Sequence, residues 1–352
     1  MRLLIMSDGG SVHTERWCDY FESQGYITAL FSLEPITISS QVRTFQGKRI
    51  TGRGLIDYSL AIKHFHRVVE EFKPNCINAH FAASYGWLAS HVDGCPVITT
   101  VWGSDVLILP HKSMLHRNRV KRSLAIAAAC TVDGKGLAKE VGKYVPTDKI
   151  HRIVMGVDEN LLLGTTGQQS DDGKIRIIAP RGLQDVYDPK TIIDAIGLLQ
   201  EPSKFAVTLR GDGDLAARYE EIICQKSLSD IITIQRRLTH DDYISLLASH
   251  DIYLSASLSD STSVSLLEAM ALGLYPIVSD IDGNREWITD GRNGLLFDTK
   301  NPQTLADAIQ RAIAQSESFD AVAAANRQLI EKEGIWQRNM ARMERLIEGI
   351  VV

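Results

Sequence analysis

The sequence predicts an α/β protein of two domains, each built on a parallel sheet. Three observations lead there. At about 150 residues per domain, a chain of 352 residues has room for two cores. Short apolar runs alternate with longer amphipathic stretches, the pattern of strands joined by crossover helices. The alternation pauses in a soft stretch from Gly156 to Gly173, rich in Gly, Thr, Gln, Ser and Asp, and then begins again.

Taken in order, strands are expected at Arg2–Met6, Ile27–Phe31, Asn75–Ala79, Val97–Val101, Cys130–Val132 and Ile150–Val154. A helix from about Val12 to Gln24 follows the first strand, with Ser11 placed to cap its start and Gly25 to end it. After the soft stretch, strands are expected at Lys174–Ala179, Phe205–Leu209, Ile231–Ile234, Ile252–Leu254 and Pro276–Val278, alternating with helices near 190–200, 214–227, 240–249, 265–272 and 302–315. A last helix covers roughly 334–350. The expected domains are 1–160, 161–330 and a closing helical segment, 331–352, that returns towards the first. In open parallel sheets ligands bind beyond the carboxyl ends of the strands, so two such domains are expected to face a shared cleft.

Composition narrows the function. The net charge of −5 supplies no basic field to draw the chain onto nucleic acid, so any polyanion site must be local. Cysteines 18, 76, 95, 130 and 224 are odd in number and lack C-x-x-C spacing, which argues against a disulfide frame and a zinc site and fits a reducing cytoplasm. The longest apolar run, Leu124 to Val132, falls short of the ~18 residues that span a bilayer. The opening MRLLIM is too short for a signal-peptide core, so a soluble or peripheral protein is expected.

Two segments carry chemistry. The first strand runs through Ser7-Asp8-Gly9-Gly10-Ser11 into a helix, where bare glycine backbone and free N–H groups can approach a phosphate. The segment Ser259 to Gly273 follows a strand and enters a helix through small polar residues. There Glu268 is placed to accept from vicinal hydroxyls such as those of a ribose, and Asp260 to hold other hydroxyls. A helix entry also favours an acid through its dipole alone, so Glu268 has a structural explanation as well.

With these residues in view, the chain resembles the retaining GT-B glycosyltransferases of the family 4 type, the glycosyl transferases of group 1. The segment Asp260 to Glu268 is similar to their E-x7-E motif and continues as Glu268-Ala269-Met270-Ala271-Leu272-Gly273. Thr99 to Asp105, Gly156-Val157-Asp158, Arg181, Gly211-Asp212-Gly213 and Asn293 to Leu296 follow the family order. The resemblance implies two Rossmann-like domains and a nucleotide-sugar co-substrate. By it the diphosphate lies near Gly9 and Gly10, the ribose on Glu268, and the sugar and phosphates on the amides of Ser263, Val264 and Ser265. Arg236, Arg237 and Leu238 would border the base, and Arg181 would face the diphosphate, where a fixed guanidinium offsets leaving-group charge. Asp260 would orient the sugar.

The sequence departs from the family pattern in three places. Asp260 stands where a glutamate is usual. Val186 stands where the partner lysine of the arginine is usual, leaving Tyr187 or Lys190 to substitute. Trp102 stands where a histidine is frequent, with His13 or Asp105 to face the same cleft. No catalytic metal or other cofactor is expected, because the D-x-D matches Asp212-Gly213-Asp214 and Asp280-Ile281-Asp282 read as turns. The run His111 to Arg122 holds Lys112, Arg117, Arg119, Lys121 and Arg122 and no acid. As a helix it would align Lys112, His116 and Arg119 towards an acceptor or an anionic membrane, with a solvated face as the plainer reading.

The expected function is transfer of a hexose-type sugar from a nucleoside diphosphate to a glycan or glycolipid hydroxyl, in cell-surface polysaccharide or lipopolysaccharide synthesis. The expected place is the cytoplasm or the inner face of the membrane. The alternatives are a sugar-nucleotide epimerase or hydrolase of the same fold, and a catalytically silent partner subunit. The base, UDP, GDP or ADP, stays open.

Overall fold

The computed structural model describes residues 1–163 and 173–351. Contacts divide the chain into one unit of Met1–Ile153 with Met340–Val352 and another of Val154–Asn339. The division falls at Val154 because Val154 and Val157 pack into the second unit's core and Val157 forms a bridge with Ile335. Most of the soft stretch, residues 164–172, lies outside the described residues. The last helix, Trp336–Val351, begins in the second unit and belongs to the first from Met340 onward.

The first unit holds seven parallel strands: β1 (Arg2–Met6), β2 (Ile27–Ser32), β3 (Arg43–Gln46), β4 (Cys76–His80), β5 (Val97–Thr100), β6 (Ala129–Val132) and β7 (Ile150–Arg152), in the order β3-β2-β1-β4-β5-β6-β7. Leu3, Leu4, Ile5 and Met6 are all fully buried, as a central strand covered on both faces requires. The register places Leu4 beside Ala29 on one side and Ile77 on the other. Ser11 caps the helix Val12–Ser23 by accepting from the His13 N–H.

The second unit holds β8 (Ile175–Ala179), β9 (Phe205–Arg210), β10 (Ile232–Gln235), β11 (Ile252–Ser255), β12 (Tyr275–Ser279) and β13 (Leu295–Phe297), again all parallel, in the order β10-β9-β8-β11-β12-β13. Neighbouring residues of β8 serve opposite faces, as the two-residue period of a strand dictates. Ile177 packs with the helices Pro189–Gly197 and Pro302–Ala314, and Ile178 packs with the helix Val264–Leu272. That last helix is buried from Leu266 to Leu272, Glu268 included. Gly273 ends it in the left-handed region, and Arg327 donates to the carbonyls of Ala271 and Leu272 at 3.1 and 2.8 Å, a cation where the helix dipole is negative.

Strand order reverses between β1 and β4 in one sheet and between β8 and β11 in the other. At such points the outgoing loops diverge and leave a crevice beyond the strand ends. Among the described residues no helix is long and apolar enough to cross a membrane, and all five cysteines are free thiols.

Candidate functional site

In the second unit the crevice is bounded by the loop after β8, which carries Arg181, and the loop after β11, which carries Asp260 and Ser263. These residues are far apart in sequence, and the fold brings them into contact. Arg181 Nη2 lies 2.8 Å from Asp260 Oδ2, with both side chains about four-fifths hidden (21% and 17% exposed). Arg181 Nη1 donates to Ser263 Oγ at 3.2 Å, and the guanidinium lies 4.5 Å from the centre of the Tyr187 ring. Burial works against the arginine's charge, but Asp260 and the surrounding tyrosines outweigh it and hold the pKa above the usual value. Burial raises the Asp260 pKa, with Arg181 and the Ser261 N–H opposing. Apart from the ionic contact, the buried Asp260 Oδ2 has no hydrogen-bond partner among the described residues.

Ser263 is also the N-cap of the helix Val264–Leu272, accepting from the Leu266 N–H. Its hydroxyl lies 3.1 Å from Ser265 Oγ, which in turn lies 2.9 Å from the hydroxyl of the fully buried Tyr253. The arginine therefore sits at the positive end of a helix dipole with hydroxyls around it, a setting that accepts an anion. Within this helix Glu268 is buried and accepts from the Tyr243 hydroxyl at 3.1 Å. The Arg210 guanidinium lies 5.0 Å from the Tyr243 ring centre. Burial first, then Glu268, pushes the Tyr243 pKa well up, so the phenol stays a donor.

Three neighbours fix these loops. Gly283 must be glycine for space: a Cβ there would fall 2.1 Å from the Ser261 carbonyl oxygen and 2.5 Å from that of Asp260. The Leu258 N–H donates to the Val186 carbonyl at 2.8 Å, tying the two crevice loops together. The Arg237 N–H donates to Asp212 Oδ1 at 2.8 Å, which sets the turn at 236–238. Arg236 pairs with Glu220 at 2.6 Å, Arg237 is exposed, and Leu238 packs against the core of the second unit. Val264 is half-buried at the start of its helix. Tyr187 lies under Arg181, whereas the exposed Lys190 is held 2.5 Å from Asp194 on its own helix. Of the D-x-D aspartates, Asp212 serves the turn just described, and Asp280 and Asp282 both pair with Arg285. Among the described residues no group of three or more His, Cys, Asp or Glu side chains is placed to hold a metal ion.

In the first unit, Gly9 donates its N–H to Ser32 Oγ at 2.9 Å and accepts from the Thr37 and Ile38 amides. A Cβ at Gly9 would meet Ile36 at 2.7 Å, so this glycine serves packing. Gly10 is exposed, with its N–H taken by Asp8 Oδ1 at 2.9 Å. His13, His80 and Phe81 surround Trp102 with ring centres 5.7, 5.4 and 5.9 Å away. Phe81 holds a φ of 64°, a left-handed backbone rare for a bulky residue. Burial, then Arg16, lowers the His13 pKa to about 4, and burial, then His13, lowers that of His80 to about 3, so both rings are neutral at pH 7. His13 Nδ1, His80 Nδ1 and Trp102 Nε1 are buried without hydrogen-bond partners among the described residues.

Two expectations need correction. Asp105 does not face open space: it is 1% exposed, and its carboxylate accepts the N–H groups of Ala82, Trp102 and Gly103 at 2.6, 3.2 and 3.0 Å. Burial raises its pKa to about 6 against those donors. It braces the loops that carry Phe81 and Trp102. The basic run is not one helix: Ser113 caps a new helix, Met114–Ile126, after the short Leu109–Lys112, so Lys112 does not share a face with Arg119. Arg119 is 5% exposed, while Lys112, Arg117 and Lys121 are exposed. Tyr243, Tyr253, Gly283, His80 and Phe81 were not singled out from the sequence. The Asp-Gly step at 282–283 is a sequence signal for a tight turn.

Comparisons with known proteins identify the family and the fold. Residues 167–329 match the family described as Glycosyl transferases group 1, and residues 2–133 match Glycosyl transferase 4-like. The chain is 25% identical over 308 residues to an uncharacterized glycosyltransferase of Methanocaldococcus jannaschii, covering 85% of this chain and 82% of that one. Among solved structures it is similar to sucrose-phosphate synthase from Thermosynechococcus elongatus, with a TM-score of 0.84 at 15% identity over 99% of both chains. It is also similar to Anabaena HepE in complex with UDP, with a TM-score of 0.80 at 14% identity over 99% of this chain and 100% of that one. The fold is GT-B, two α/β domains on parallel sheets.

Proposed function

We infer that this chain, which belongs to the GT4-type glycosyl transferases of group 1 and is a glycosyltransferase, moves a hexose-type sugar from a nucleoside diphosphate to a glycan or glycolipid hydroxyl with retention of configuration and without a catalytic metal. A place in cell-surface polysaccharide or lipopolysaccharide synthesis fits that acceptor class. The observation that carries the reading is Arg181, a nearly buried guanidinium held between Asp260 and Ser263 at a helix N-terminus. Such a group is preorganised for the charge that builds on a departing diphosphate.

On this reading the helix-entry amides at Ser263, Val264 and Ser265 receive phosphate and sugar oxygens, and Glu268 accepts from the ribose hydroxyls while the Tyr243 O–H holds its carboxylate in place. Asp260 Oδ2, short of hydrogen bonds, accepts a sugar hydroxyl. The bond from the anomeric carbon to the leaving phosphate oxygen breaks as the bond to the acceptor oxygen forms on the same face. The leaving phosphate oxygen takes the acceptor's proton. In the first unit, the aromatic group around Trp102 offers a surface for an acceptor sugar.

UDP-sugars are the first donors to test, because HepE has been solved with UDP and with UDP-glucose. Incubation with UDP-, GDP- and ADP-sugars and a panel of glycan and glycolipid acceptors, with NMR of the new anomeric centre, is expected to give a product that keeps the donor's configuration. An inverted product contradicts retention. Sugar release without acceptor favours the hydrolase or epimerase reading. Binding without turnover favours a silent subunit, the reading that Val186 and the engagement of Lys190 by Asp194 support.

A further inference from the structure

Arg119 is a buried charge that has no counter-ion among the described residues. It is 5% exposed, its guanidinium lies 3.6 Å from the centre of the Trp87 ring, and its Nη2 donates to the Leu55 carbonyl and to Ser59 Oγ at 2.6 and 2.7 Å. Among the described residues the buried Nε and Nη1 donors have no hydrogen-bond partner. Among the described residues no carboxylate pairs with it, and burial alone lowers its pKa. A buried guanidinium usually has a carboxylate beside it, since an isolated charge away from water is strongly unfavourable.

The surroundings indicate what completes it. Arg119 and Leu55 wall two adjoining cavities, of about 490 and 330 Å³, between the helices Gly54–Leu60 and Met114–Ile126. The larger is lined by Ile56, Leu60, Trp87 and Leu115, and of these Leu60 and Leu115 remain 53% and 52% exposed. Arg122 lines the larger cavity and His116 the smaller, both within the acid-free run 111–122. An apolar trough that ends on an unpaired cation matches a molecule with a hydrocarbon tail and an anionic head.

We propose that this groove binds a single phosphate-headed lipid, the head pairing with Arg119 and the chain lying along Leu55, Ile56, Leu60 and Leu115. The binding stands independently of sugar transfer, so its test needs no donor or acceptor.

The test is calorimetric titration of the full chain with dodecyl phosphate below its micelle concentration, beside inorganic phosphate and dodecyl maltoside. Dodecyl phosphate is expected to bind one site, with each comparison compound weaker by about tenfold or more. Leu60→Asp, at an exposed position outside the core, is expected to weaken dodecyl phosphate by about tenfold. Arg119→Met is expected to abolish the preference for phosphate over maltoside, and Arg119→Lys to restore part of it. If the Arg119 variants fail to fold, the head-group comparison on the wild-type chain and the Leu60 variant still decide. Equal binding of phosphate and maltoside amphiphiles overturns the proposal, as does indifference to Leu60→Asp. So does adhesion to phosphatidylglycerol vesicles without binding of the free amphiphile, which would mean a charged surface and no lipid site.

Discussion

Asp260→Asn is the substitution from which most can be worked out. Removing one partner of a fully buried ion pair destabilises by about 3–5 kcal/mol, whereas exposed pairs contribute about 0–1 kcal/mol. With side-chain exposures of 21% and 17%, the Arg181–Asp260 pair lies towards the buried limit, near 3 kcal/mol. Arg181 keeps the Ser263 hydroxyl and the Tyr187 ring in the variant, contacts that together contribute about 1 kcal/mol. Those contacts exist in both proteins and cancel in the difference, so the expected loss in the second unit is about 3 kcal/mol. The assay is a double-mutant cycle with Arg181→Met, read by urea unfolding through the buried Trp287. Asp260→Asn, Arg181→Met and the double variant should show a coupling energy of about 3 kcal/mol. In the same variant, nucleotide affinity should hold within about threefold, because the guanidinium stays in place, while transfer falls by about 100-fold. Additivity of the two substitutions within about 0.5 kcal/mol would refute the pairing argument.

Further predictions concern the neighbouring groups. Glu268→Ala should weaken nucleotide binding by about tenfold or more and remove the wild-type preference for ribo- over 2′-deoxynucleotide, which competition binding reads directly. Tyr243→Phe should reduce stability by about 1 kcal/mol through loss of the bond to Glu268, measured by denaturant unfolding. Gly283→Ala should displace the 260–261 backbone, lowering stability by about 1–3 kcal/mol and transfer together; an unchanged melting point and turnover would show that the loop yields freely. In the first unit, His13 and His80 titrate in the unfolded chain near 6.5 but near 4 and 3 when folded, so each contributes stability above pH 6.5 that is lost as pH falls. Asp105, raised to about 6 from 3.8, acts in the opposite sense, its contribution lost as pH rises through 6. At about 1.4 kcal/mol per proton per pH unit, the two histidines outweigh the aspartate. Stability of this unit should therefore rise by about 1.4 kcal/mol per pH unit between pH 4.5 and 6. Replacing His80 by Asn should flatten that slope, as urea titrations at stepped pH would show.

Much of the architecture was legible because both sheets are parallel and covered on both faces. Strands such as Arg2–Met6 and Tyr275–Ser279 are therefore continuous apolar runs, and their boundaries lie close to those expected. Arg43–Gln46 was missed because it is an edge strand, mostly exposed and polar. Leu295–Phe297 is a strand of three residues inside a segment read only as a motif. The helix entry at Ser263 was legible from small polar residues preceding an apolar run. The contact between Arg181 and Asp260 was not, since it depends on β8 and β11 becoming neighbours where strand order reverses. Asp105 and Arg119 show the opposite error. Charged residues in sequence read as exposed or reactive, yet one is occupied by three backbone amides and the other is buried against a tryptophan.

The role proposed for Arg181, receiving the diphosphate, is decided by calorimetry on one variant. The nucleoside diphosphate that binds the wild-type chain tightest is titrated into Arg181→Met beside the corresponding nucleoside without phosphates. Affinity for the diphosphate is predicted to fall by about tenfold or more while that for the nucleoside holds. Equal affinity of variant and wild type for the diphosphate would contradict the account.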